Sequence, residues 1–101
     1  MSDGYGTVMV GRLKVPFDEV AASIERWIAE RKVPGFRHED LMLCADGVTV
    51  IASVHFDDEA SYRALAADPE QARWWAEVAS PQLDGDPQWF DGAWRACLSP
   101  S

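Results

Sequence analysis

The chain has 101 residues, 48% of them hydrophobic and 11% aromatic, with a formal net charge of -8 at pH 7. That length supports one domain, residues 1–101, with enough apolar material for a core that needs no disulfide or metal staple. The acidic balance excludes nucleic acid and anionic membrane surfaces as partners, because both require clustered Lys and Arg.

No apolar run approaches the ~20 residues that span a bilayer, and the opening MSDGYG lacks a basic-then-apolar signal pattern. The expected location is therefore cytoplasmic. Cys44 and Cys97 fall in apparent strands without metal-type spacing, and are expected as reduced, packed thiols.

Residues 7–14, TVMVGRLK, read as a first strand with a close approach or bulge at Gly11. Pro16 and Phe17 break it, and Asp18 and Glu19 supply the acidic first turn of a helix running to about Lys32. Val20, Ile24, Trp27 and Ile28 form its inner face, and Val33-Pro34-Gly35 stops it. Residues 36–44 form a second strand. Asp46-Gly47 then gives a hairpin turn into a third, residues 48–56, whose phase Val48, Val50, Ala52, Val54 and Phe56 is continuously apolar. The opposite phase, Thr49, Ile51, Ser53 and His55, is only partly polar, which suits a second face covered by a partner sheet.

Asp57, Asp58 and Glu59 cap a second helix with Tyr62, Leu65 and Ala66 on its inner side. Pro69 opens a separate helical piece, residues 69–79, with Trp75, Val78 and Ala79 inward. A turn-rich loop leads to a last strand, residues 89–98, in which Asp91-Gly92 reads as a bulge or bend that lets the strand cross to a dimer partner. The order is strand, helix, strand, strand, helix, strand. It specifies an α+β, ferredoxin-like fold (βαββαβ), with a four-stranded antiparallel sheet and both helices on one face.

The segments PGF at 34–36, VHFDDEASYRALAADPE at 54–70 and PQWFDGAW at 87–94 resemble the antibiotic biosynthesis monooxygenase-like family of ferredoxin-like domains. The likeness covers nearly the whole chain. It implies a homodimer closed into a dimeric α/β barrel, with a ligand cavity between helices and sheet. Activities in that family include cofactor-free oxygenation of aromatic polyketides, haem breakdown, isomerisation and plain ligand binding. The family's polyketide oxygenases and haem-degrading members use a pocket asparagine, and this sequence has none. The haem-degrading members also use a histidine on the second helix, where this chain has no histidine.

The residues themselves offer few alternatives. His38 and Asp40 lie two apart in a strand and share a face, but two ligands are too few for a metal, so no metal site is expected. No phosphate loop or nucleophile motif is present. His55, beside the acidic cap Asp57-Asp58, is a candidate base; Tyr62 and Arg95 are candidate partners for a phenol or enolate. Trp27 and Trp75 are expected in one pocket, with Arg12 as a further anchor. Trp74 is expected at the rim, since adjacent helical residues do not share a face. Two functions fit: a monooxygenase that needs no cofactor and acts on a small aromatic or polyketide-like substrate, or a non-catalytic dimer that binds a hydrophobic metabolite or acts as an accessory dimerisation domain.

Overall fold

The computed structural model describes residues 4–100; residues 1–3 of the opening stretch read for a signal pattern, and residue 101, lie outside them. Four strands, β1 (Gly4–Arg12), β2 (Phe36–Leu43), β3 (Thr49–Phe56) and β4 (Gln88–Trp94), form one antiparallel sheet in the order β2-β3-β1-β4. Between them run α1 (Phe17–Arg31), α2 (Glu59–Ala66) and α3 (Pro69–Trp74). The helices share one sheet face, where Met9, Val50, Ala52 and Leu83 form a buried cluster with Leu13, Phe17, Leu41 and Trp75 packed against it. The α+β, ferredoxin-like order expected from the sequence is the one observed. No helix among the described residues is long and apolar enough to cross a membrane.

Local chemistry sets the boundaries. Lys32, with φ 47° and ψ 54°, ends α1 in the left-handed region, so the stop comes one residue before Val33-Pro34-Gly35. The Asp58 side chain accepts from the Ser61 amide at 2.8 Å and caps α2. Asp68 caps α3 in the same manner through the Glu70 amide at 2.9 Å, with Pro69 in the first turn. Arg31 ties α1 to this second cap, its guanidinium 2.9 Å from Asp68. In the β2–β3 turn, the Asp46 carboxylate accepts from the amides of Val48 (3.0 Å) and Thr49 (2.8 Å) and from the Thr49 hydroxyl (2.6 Å).

Three local expectations are corrected. The helix after Trp74 widens into a π-helical turn, Trp75–Ala79, followed by a 3-10 turn, Ser80–Gln82. β4 pairs with β1 in unbroken register from Gly4↔Trp94 to Val10↔Gln88, so Asp91-Gly92 is neither bulge nor bend, and the strand ends at Trp94 rather than Leu98. Cys97 consequently lies beyond the sheet and is exposed.

Among the described residues, the sheet's one register shift lies in β2. Phe36 pairs with Phe56, but His38, not Arg37, pairs with His55. The extra residue at Arg37 is a β-bulge and reverses the strand's alternation. Phe36 faces the helices; beyond the bulge Glu39 and Leu41 do, while His38 and Asp40 share the outer face with His55. Close backbone approach occurs at Gly6 rather than Gly11. A Cβ on Gly6 would run into the Val54 carbonyl oxygen and the Trp94 indole, whereas one on Gly11 would meet Leu83 and Pro87 at 3.4–3.5 Å, ordinary contact. Gly6→Ala should therefore cost about 1–3 kcal/mol through overpacking, and Gly11→Ala little, as read from urea midpoints of the two variants.

Candidate functional site

The helix-covered face of the sheet is not packed solid. Between it and α1, α2 and the α3–π segment lies a cavity of about 640 Å³, within the usual range for small-molecule sites. This space explains why Tyr62 and Leu65, the inner residues of α2, are only half-buried. The walls are aromatic. Trp27, buried on α1, packs against Trp74 with ring centroids 5.8 Å apart, and Trp75 meets Trp89 of β4 at 5.0 Å. Both Trp74 and Trp75 line the cavity. Adjacent residues share it because the helix changes from α to π hydrogen bonding at this point, with its wider turn.

The polar groups are few, and the sheet register sets them in a row. Val54 of β3 pairs with Glu39 on one side and Thr7 on the other, and Thr7 pairs in turn with Asp91. Glu39, Thr7 and Asp91 all line the cavity. Above Asp91, the Tyr62 phenol donates to Oδ1 at 2.9 Å. Burial, and then the bond to and charge of Asp91, push Tyr62 up to about 12. It stays protonated, with its one proton committed to Asp91. At the α1–α3 seam the Trp27 indole N–H donates to Gln71 Oε1 at 2.9 Å.

Two members of the row are unusual. The Thr7 hydroxyl is buried and has no hydrogen-bond partner of good geometry, although it lies near enough to the Tyr62 phenol to moderate that group's shift. Orphaned buried hydroxyls are rare and cost about 1–3 kcal/mol, which a ligand oxygen would relieve. Glu39 is pushed up to about 7, first by burial and then by the charge of Asp40 beside it.

The other residues singled out from the sequence lie elsewhere. His55 projects from the outer face, stacked between His38 (4.2 Å) and Trp94 (4.1 Å), with its Nε2 2.8 Å from the Ser53 hydroxyl. Burial and then His38 lower its pKa, so it is neutral at pH 7 and not held protonated by the α2 cap. Asp57 of that cap instead pairs with Arg37 at 3.0 Å. Arg12 is exposed at the end of β1, 3.8 Å from Asp84, and Arg95 is exposed beyond β4; neither lines the cavity. The sheet thus brings Tyr62, Trp27, Trp74 and Trp75 together and separates them from His55, Arg12 and Arg95. Trp89, Asp91, Thr7 and Glu39 went unnoticed as site residues. The period-2 phase shared with Val54 places Thr7 and Asp91 in the cavity; only the bulge places Glu39 there.

Pairing β2 with β3 adds His55 to His38 and Asp40, and one ligand atom from each falls within 4.8 Å of the others. The two rings are 15° from parallel, however. Their in-plane lone pairs run side by side and do not converge on a point where one ion would sit. The cluster is an aromatic stack with Asp40 at its edge.

The Glu39 shift carries a stability consequence. Its folded pKa of about 7 exceeds the ordinary 4.5, so the folded chain holds the proton more tightly, and stability from this group falls as pH rises through that window. Glu39→Gln should raise the urea midpoint at pH 8, where the cost of the half-buried charge is present. It should leave the midpoint unchanged at pH 4, where that cost is absent.

No protein-family model and no curated protein matches the sequence. Solved structures do match the fold. A monooxygenase from the gene ActVA-Orf6 of Streptomyces coelicolor, in complex with the ligand nanaomycin D, is similar with a TM-score of 0.76 and 27% identity, over 98% of this chain and 94% of that one. SnoaB, a cofactor-independent oxygenase from Streptomyces nogalater, is similar with a TM-score of 0.69 and 17% identity, over 97% of each chain. A protein from Nitrosomonas europaea classed with the antibiotic biosynthesis monooxygenases is similar at 0.65 and 17%, over 92% of this chain and 91% of that one. Along nearly its whole length, the chain has the fold of antibiotic biosynthesis monooxygenase-like proteins, which are its structural neighbours.

Proposed function

We propose that this protein is a monooxygenase that needs no cofactor and acts on a multi-ring aromatic, polyketide-like substrate held in the cavity between helices and sheet. The observation that carries this reading is the site's composition: tryptophan walls around a buried, unpaired Thr7 hydroxyl. Indole faces suit flat aromatic rings. A buried hydroxyl in an apolar setting suits one carbonyl or enolate oxygen, to which it can donate. The 27% identical neighbour binds nanaomycin D, which supports the same ligand class here.

In this reading the protein excludes water, fixes the rings against Trp27, Trp74, Trp75 and Trp89, and stabilises the substrate anion that reacts with dioxygen. Tyr62 serves as an anchor: its proton goes to Asp91 and its oxygen accepts from a substrate hydroxyl. His55, Arg12 and Arg95 have no part in the site. Oxygen consumption by purified protein with a panel of anthrones and naphthoquinols tests the activity. Binding of those compounds without oxygen uptake would favour the non-catalytic metabolite binder.

Thr7→Val separates the two costs of the orphan hydroxyl. The variant should melt at a higher temperature than the parent when unliganded, and bind a hydroxyanthraquinone about 10-fold more weakly by fluorescence titration.

A homodimer belongs to the same reading. The outer sheet face presents Phe90 of β4, 58% exposed, and Met42 of β2, 59% exposed, at its two edges, with Trp94 half-buried on the same strand as Phe90. Light scattering should give twice the 11.2 kDa chain mass. Phe90→Asp should shift the protein toward monomer, because it would place a charge on the exposed apolar surface of that face.

A further inference from the structure

We infer that Glu39 is the catalytic base of this cavity, removing the proton from the substrate carbon that dioxygen then attacks. The inference rests on the oxygenase reading for its substrate class and on the geometry of the sheet for its residue. Three observations lead to it.

The first is placement. The bulge at Arg37 turns Glu39 toward the helices, in the same sheet row as Thr7, with Val54 between them. Two strand spacings separate the acid from the hydroxyl, ~10 Å between backbones. A fused aromatic ketone spans such a gap, with its oxygen toward Thr7 and an acidic ring methylene toward Glu39. The second is elimination among the cavity's titratable groups. Asp91 accepts the Tyr62 hydrogen bond at 2.9 Å and is exposed, while Tyr62 is itself held protonated. Among the described residues, the Glu39 carboxyl enters no ion pair. The third is environment: an apolar wall raises the basicity of a carboxylate, and a base working near neutral pH needs that tuning.

The chemistry balances with dioxygen as the only co-reactant. The Glu39 carboxylate takes one methylene proton, and the bonding pair stays on the substrate as an enolate whose oxygen accepts from the Thr7 hydroxyl. A carbon–oxygen bond forms to dioxygen, which takes up the pair as a peroxide anion. Glu39 returns its proton to the distal oxygen. It then removes the second hydrogen from the same carbon as the oxygen–oxygen bond breaks, and the departing hydroxide receives that proton as water. The methylene becomes a carbonyl, one oxygen atom ends in product and the other in water, and Glu39 is again a carboxylate.

Proton removal can be read without oxygenation, so the test separates the base from the overall activity. Anthrone is incubated anaerobically with the protein in deuterated buffer, and methylene exchange is followed by NMR; oxygen uptake is measured separately. The parent protein should accelerate exchange, Glu39→Gln should lose that acceleration by roughly 10²–10⁴-fold, and Glu39→Asp should recover part of it. Binding of a hydroxyanthraquinone should survive in Glu39→Gln, which shows that the cavity still forms. Exchange with no oxygen uptake would defeat the oxygenase reading and leave the base in place. Oxygen uptake that is equal in parent and Glu39→Gln would overturn the base and leave the oxygenase. No acceleration of exchange by the parent would also overturn the base.

Discussion

A single extra residue in one strand decides what kind of cavity this protein has. Antiparallel pairing fixes which side chains face the helices, and a strand obeys that rule from end to end unless a bulge resets it. In β2 the reset at Arg37 keeps Phe36 in the core and still turns Glu39 inward, with His38 and Asp40 outside. Without it, the alternation begun at Phe36 would direct His38 and Asp40 at the helices and leave Glu39 in solvent. The fold would survive, but the carboxyl of the cavity would be gone.

Much of the architecture was legible because it rests on local rules. Asp58, Asp68-Pro69 and Asp46-Gly47 each solve a backbone hydrogen-bonding problem within four residues of themselves, and their types announce the solution. The inward phase of β3 was legible for a similar reason, since Val50, Ala52, Val54 and Phe56 repeat every two residues, and all but the half-buried Val54 are buried. What could not be read locally depends on partners. The bulge exists only as a mismatch between β2 and β3. The π turn at Trp75–Ala79, where Trp74 and Trp75 meet the cavity, carries no local signal of its own in the sequence. Gly6 and Gly11 look alike in sequence, and only the approach of the Val54 carbonyl and the Trp94 indole to the first tells them apart.

The candidate site was partly legible for the same reasons. Trp27 and Tyr62 followed from helical periodicity. His55 was drawn in by its neighbours along the chain, yet in a strand immediate neighbours face opposite ways, so its companions are His38 and Trp94. Chemistry on such a fold resides in a few grafted side chains, and neighbours sharing the architecture need not share them. This chain has no asparagine and sets a half-buried glutamate, Glu39, against its cavity.

The five tryptophans divide between the two faces of the sheet. Trp27, Trp74, Trp75 and Trp89 surround the cavity, while Trp94 stacks on His55 on the outer face. The ultraviolet emission of the protein is therefore composed of two populations with separate surroundings. A guest among the four changes one, and whatever meets the outer face changes the other. The chain carries its own pair of optical probes, one for each of its surfaces, without any label being attached.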